Sequence, residues 1–204
     1  MSPGATFERV YNELKRMLAE GELPPGSPIE PALIGKQIAS SITPIRDALH
    51  RLTGERLVEA PNHNGFRVPL LTEAGLRDLY SWNGLVLALA AKQLTTGLKL
   101  EGLDRWVART DTPSATAALF HGIARHTGNV ELGAAIGLLN DRLEIFRRAE
   151  LATLNAVTDE LSTLAEVATS GDRAALAAAL LRYHRRRTAV VAQILAHLIS
   201  RVGR

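Results

Sequence analysis

The ten residues GELPPGSPIE, 21–30, carry two glycines and three prolines, and no other stretch limits the fold so sharply. Proline lacks the amide proton a helix needs and clashes with the preceding turn, so no helix runs through such a segment. On its N-terminal side Val10, Leu14, Met17 and Leu18 fall at i, i+4, i+7 and i+8, one apolar face of a first helix that ends near Glu20. On its C-terminal side the pattern predicts a short helix at about Pro31 to Gln37 and a third in SSITPIRDALHRLTG. Ser41 or Thr43 can cap that third helix and Pro44 is tolerated in its first turn. Ile45, Leu49 and Leu52 give it a buried face, and Gly54 marks its end. Leu57 and Val58 then precede APNHNG, and Phe66 and Val68 alternate with Arg67, which predicts a β-hairpin with Gly65 at the turn. Three helices and a hairpin, in that order, make a winged helix-turn-helix domain over residues 1–71.

The remainder, 72–204, reads as helical throughout: about 72–98, a short piece near 100–109, then 112–126, 129–153, 156–169 and 172–200. TDTPS, TGN and TSGD punctuate these segments. The expected fold class is therefore mainly α, a winged helix-turn-helix followed by an all-helical bundle. Composition agrees, with 46% apolar and only 4% aromatic residues, the mixture of helices packed through small side chains. There is no cysteine, so neither disulfide nor thiol chemistry is available. No stretch approaches the ~20 uncharged apolar residues of a membrane span, and the N-terminus lacks the apolar core of a secretory signal. A cytoplasmic protein without membrane contact is expected. No P-loop, GxSxG, HExxH or GxGxxG motif is present, so nothing suggests an enzyme.

Charge bears on partners. Residues 1–70 hold eight Lys+Arg and eight Asp+Glu, a neutral balance for a domain that would grip phosphates, which a nucleic-acid binder usually meets with concentrated positive charge.

VYNELKRMLAEGELPPGSPI, TPIRDALHRLTGERLVEA and NHNGFRV, followed by EAGLRDLY, resemble the N-terminal domain of GntR-type bacterial transcription regulators and its junction to the effector domain. LFHGIARHTGN and TSGDRAALAAALLRYHRRR resemble the all-helical FCD effector domain of the FadR branch, in a small variant. The resemblance implies a homodimer that binds double-stranded operator DNA through the winged domain and responds to a small-molecule effector in the helical bundle.

At ~100° per residue, Thr43, Arg46, Asp47 and His50 project away from the Ile45/Leu49/Leu52 face. By the resemblance they face the major groove. Ser41, Thr43, Arg46 and His50, with Asn64 and Gly65 in the wing, are the expected DNA-binding residues. Family members carry an arginine where Ile42 stands and commonly one where Asn64 stands, whereas Arg46 and Gly65 match. Two lost arginines, each able to bond guanine bidentately, should weaken or redirect binding.

The same resemblance implies a metal held by one aspartate and three histidines. His121 matches the first histidine, but Ala117 stands at the aspartate, Leu161 at the second histidine, and Tyr183 at the last, with His184 one residue late. At best two ligands remain, so neither a metal nor another cofactor is expected. Asn83, beside Trp82, occupies the place of an arginine that meets the ligand carboxylate. Asn83, His121, Tyr183 and His184 are the expected effector-binding residues, in a pocket more neutral than usual and suited to a bulkier, less charged ligand. Arg182, Arg185, Arg186 and Arg187 read as a solvated helix face, with an anion or DNA-backbone site as the alternative. For the whole chain the alternative is a helical module reused for ligand binding or catalysis after DNA binding has decayed, motivated by Ile42, Asn64 and the missing ligands.

Overall fold

A computed structural model describes residues 3–61, 65–95, 97 and 111–202. The chain divides into two compact units, one within the first 71 residues and one spanning Thr72–Ser200.

In the first unit α1 (Pro3–Glu20) ends at the proline-rich break, α2 (Pro31–Gln37) starts on a proline, and α3 (Ile42–Gly54) follows after four residues. Val10, Leu14 and Met17 of α1 meet Ile45, Leu49 and Leu52 of α3 in a core from which water is excluded, each such side chain contributing ~1.5–3 kcal/mol. The break does more than stop a helix. Its Pro28–Ile29 forms β1, paired antiparallel with β2 (Phe66–Arg67) in the register Ile29 opposite Phe66. Gly26 N–H donates to Val68 O at 3.0 Å and Val68 N–H to Ser27 O at 2.9 Å, extending the seam. The expected hairpin forms on the other edge of β2, where Glu59 and Arg67 exchange both backbone hydrogen bonds at 2.8 Å. Thus β2 is a central strand and not one arm of an isolated hairpin; a two-residue strand between prolines shows no alternation by which the sequence could announce it.

Gly35 sets the angle between α2 and α3. A Cβ there would lie 2.8 Å from the Ser40 carbonyl oxygen and 3.3 Å from Ile45 Cδ1, so only glycine lets the turn fold back on its own helix.

The second unit begins with α4 (Glu73–Gln93), capped by Thr72, whose hydroxyl accepts from the Gly75 N–H at 3.1 Å. α5 (Thr112–Arg125), α6 (Val130–Thr153), α7 (Val157–Thr169), α8 (Arg173–Ala189) and α9 (Val191–Val202) follow. The short helix expected near 100–109 lies outside the described residues. Asp111, Asn129 and Asp172 cap α5, α6 and α8 with their side chains, the polar punctuation acting as helix starts. The single helix expected over 172–200 is two. β-branched Thr188, Val190 and Val191 crowd the turn, Val190 leaves helical geometry at φ −117°, ψ 19°, and the Thr188 carbonyl accepts from Arg77 Nη1 of α4 at 2.6 Å. α4 packs most extensively on α8. Their closest approach is at Gly84, where a Cβ would lie 3.0 Å from His184 Cβ.

Replacing Gly35 with Ala should lower stability by ~1–3 kcal/mol, the usual cost of overpacking, read as a lower urea midpoint with an unchanged m-value. An unchanged midpoint would show that the α2–α3 turn relaxes freely.

Candidate functional site

The α3 surface presents the first site. Ser41 sits at the N-cap, yet its hydroxyl makes no capping bond, so the first-turn amides of α3 keep free donors. Thr43, Arg46 and Asp47 are exposed, as Ile42 is, at 49%. His50 is exposed too, with its ring edge-on to Phe66 of β2 at 5.0 Å between centroids; it braces the helix against the strand. Gly65 is exposed with φ +78°, and Asn64 lies outside the described residues.

Charge pairing explains how a neutral domain presents a cation. Arg16 lies among Glu13, Glu20 and Glu22, Arg51 between Glu8 and Glu55, and Arg67 beside Glu59. Arg9 donates to the carbonyls of Ile38 and Ala39. Among the described residues Arg46 has no ion-pair or hydrogen-bond partner. Exposed pairs add little stability, but they cancel local field, and Arg46 keeps its own.

The second site is a polar centre buried among α4, α5, α6 and α8. Arg187, at 0% exposure, donates from Nε to Glu150 Oε2 at 2.8 Å and from Nη1 to Glu160 Oε2 at 2.7 Å. Its guanidinium lies over the Tyr183 ring at 3.2 Å. Tyr80 donates its hydroxyl to the other Glu150 oxygen at 2.6 Å. Arg186 also reaches Glu160, at 2.9 Å. The arginine run is therefore not a uniformly solvated face: Arg182 and Arg185 are exposed, whereas Arg187 falls one turn after Tyr183 in the apolar row and is drawn inside by two carboxylates.

Arg147 of α6 is also buried, and differently. Its Nη2 donates to Asn140 Oδ1 at 2.8 Å, Asn140 in turn donates to the Ala117 carbonyl at 3.0 Å, and the guanidinium stands 5.2 Å from the Phe120 ring centroid. No carboxylate pairs with it among the described residues; Glu144, one turn earlier, pairs with Arg148. Phe120 packs against Tyr183 and His184, and beside them Asn83 Nδ2 meets His184 Nε2 at 3.0 Å. The His184 Nδ1–H donates to the Leu180 carbonyl at 2.7 Å, which leaves Nε2 as the acceptor. Within this centre, among the described residues, Asn83 Oδ1, Arg147 Nη1 and Arg187 Nη2 have no partner.

Asn83, Tyr183 and His184 thus come together, as an effector site would require. His121 does not join them; it is exposed on the outer side of α5, one residue past the inward-facing Phe120. Arg147 and Arg187 bring two guanidinium groups into the centre, the second paired with Glu150 and Glu160, which the sequence did not lead one to expect. A metal held by one aspartate and three histidines does not fit these residues. Ala117 offers only a carbonyl already bonded to Asn140, Leu161 is apolar core, and both His184 nitrogens are engaged. Arg147, Glu150 and Asn140 were not read from the sequence. The signal was available: Leu132, Ile136, Leu139, Leu143 and Phe146 continue at i+4 onto Glu150, a charge in core register.

Burial holds His184 neutral and lowers its pKa from 6.5 to about 3, assisted by the fields of Arg187 and Arg147. Below pH 6.5 the unfolded chain takes the proton first, so stability is intact above that pH and falls as pH drops from about 6.5 toward about 3, by up to ~1.4 kcal/mol per pH unit. His184→Gln should flatten the decline of melting temperature between pH 6.5 and 4.5. Equal slopes would assign the acid sensitivity to another group.

The family described as bacterial regulatory proteins, gntR family, matches over residues 6–68. Among relatives, the HTH-type transcriptional regulator YdhC of Bacillus subtilis strain 168 is 28% identical over 102 residues, covering 50% of this chain and 43% of its own. The HTH-type transcriptional regulator McbR of Escherichia coli K12 is 34% identical over 94 residues, 43% of this chain and 41% of its own. The matches thus span less than half of those relatives. In three dimensions the fold is that of E. coli McbR, with TM-score 0.68 at 21% identity over 92% of this chain and 97% of that one. A GntR transcriptional regulator from Rhodococcus sp. RHA1 superposes with TM-score 0.75 at 15% identity over the same shares. Over residues 6–68 the chain is thus similar to the gntR family of bacterial regulatory proteins, and it shares the fold of McbR and of the Rhodococcus regulator.

Proposed function

We propose that this chain is a ligand-responsive transcription regulator that binds operator DNA as a homodimer and takes a small-molecule effector in the buried polar centre of an FCD-type domain. The family and its relatives are transcriptional regulators and not enzymes. One observation carries the DNA-binding reading: Arg46 stands on the exposed face of α3 with no ion-pair or hydrogen-bond partner among the described residues, whereas Arg16, Arg51 and Arg67 are paired with glutamates. A guanidinium so placed suits guanine O6/N7 or a phosphate. Thr43 and the uncapped α3 amides supply further donors for the phosphate backbone, and Gly65 permits close backbone approach at the wing. Dimerisation is supported by Trp82, Leu85 and Leu89, a row at i, i+3 and i+7 of α4 that is 57%, 58% and 50% exposed. No helix among the described residues is long and apolar enough to cross a membrane, and operator binding would place the protein in the cytoplasm.

The polar centre supports an anionic effector. A buried cation without a counter-ion is costly, and Arg147 Nη1 and Asn83 Oδ1 are a donor and an acceptor left without partners.

In a mobility-shift assay with DNA flanking its own gene, the wild type should be retained at low and physiological salt. Arg46→Ala should bind at least ~10-fold more weakly, in line with ~1–3 kcal/mol per base contact. Failure of the wild type at both salts would favour the reused-module reading. For the effector site, carboxylates such as benzoate or lactate should raise the melting temperature more than their amides do. Arg147→Met should abolish that difference; retention of it would remove Arg147 from the site.

A further inference from the structure

Ile42 answers to a different chemistry from its neighbours. It is the first residue of α3 and is 49% exposed, while Ile45, Leu49 and Leu52 fill the core at 0%. Arg46 follows it at i+4, so the two side chains are neighbours on one strip of the helix surface, with their Cβ atoms ~5–6 Å apart. Thr43 and His50 flank the strip. Resting on the DNA-binding reading above, we propose that Ile42 is a specificity-determining residue that packs against the C5-methyl group of a thymine, one base step from the pair contacted by Arg46.

The chemistry of the groove restricts what an isoleucine can recognise. Guanine, adenine and cytosine present hydrogen-bonding donors and acceptors on their major-groove edges, and thymine alone adds an apolar group. An aliphatic side chain set over a guanine or cytosine edge desolvates polar atoms without replacing their bonds with water. Over thymine it removes two apolar surfaces from water together. Ile42 therefore rejects as well as selects. Its β-branched side chain has little rotamer freedom in a helix, so little conformational entropy is lost when it seats on the base. Arg46 supplies the polar contact beside it. The pair would read a thymine next to a guanine, where two arginines would read two guanines.

The test begins with selection of bound sequences from a random duplex library by the full-length protein. A thymine at a fixed position in the enriched half-site is then replaced by uracil, which removes only the methyl group. Wild-type binding should fall by about 3- to 10-fold, the last being ~1.4 kcal/mol. Ile42→Ala, which touches no core contact, should weaken binding to the thymine duplex by a similar factor and lose the distinction between thymine and uracil. Ile42→Arg should shift enrichment at that position toward guanine. Equal wild-type affinity for both duplexes, or a methyl preference that persists in Ile42→Ala, would overturn the assignment while leaving operator binding intact. Enrichment of no sequence at all would overturn the DNA-binding reading and this inference with it. An unchanged melting temperature for Ile42→Ala separates a lost base contact from a lost fold.

Discussion

The Arg187–Glu150 ion pair organises the helical unit. It carries no exposed surface, joins α8 to α6, and through the second oxygen of Glu150 gathers in Tyr80 of α4. Through Glu160 it reaches α7 as well. Taking both charges out of water costs several kcal/mol each, which a single good contact does not always recover. Here four hydrogen bonds and a tyrosine face meet at the pair, so loss of either partner would strand a charge in the core. One turn before Arg187 on the same helix, α8 seats closely on α4 at Gly84, where Asn83 meets His184.

Beside that satisfied network sits an unsatisfied one. Arg187 has two carboxylates; Arg147, as deeply buried, has an amide oxygen and an aromatic face. Burial normally demands compensation for charge, and the proposed effector site rests on this uncompensated guanidinium, on the Asn83 oxygen without a donor and on His184 held neutral. The contrast separates the paired charge that holds the bundle together from the unpaired one, in a centre built without the one-aspartate, three-histidine set the family resemblance implied.

In the winged unit, the neutrality of residues 1–70 is reconciled with the proposed DNA-binding surface by geometry. Glutamates and arginines on α1 and at the end of α3 neutralise each other one helical turn apart or across the α1–α3 contact. Composition registers only the sum. The unpaired charge of Arg46 and the exposed side chain of Ile42 emerge once the partners of Arg16, Arg51 and Arg67 are located.

Local rules therefore account for a definite part of this protein. Proline and glycine placement in 21–30, the apolar rows of α1 and α3, and the caps Asp111, Asn129 and Asp172 specify helix starts and stops, because these are properties of a few consecutive residues. The buried faces of Ile45, Leu49 and Leu52 followed for the same reason. Pairings distant in sequence were decided only by tertiary structure. β1 exists because β2 pairs with it, and α8 and α9 part where Arg77 takes the Thr188 carbonyl. His121 turns outward while Phe120 turns inward. Arg187 lies in core register yet reads as a surface charge, and Glu150 passes unnoticed, since a charge enters a core only when its partner, 37 residues away, is already there to meet it.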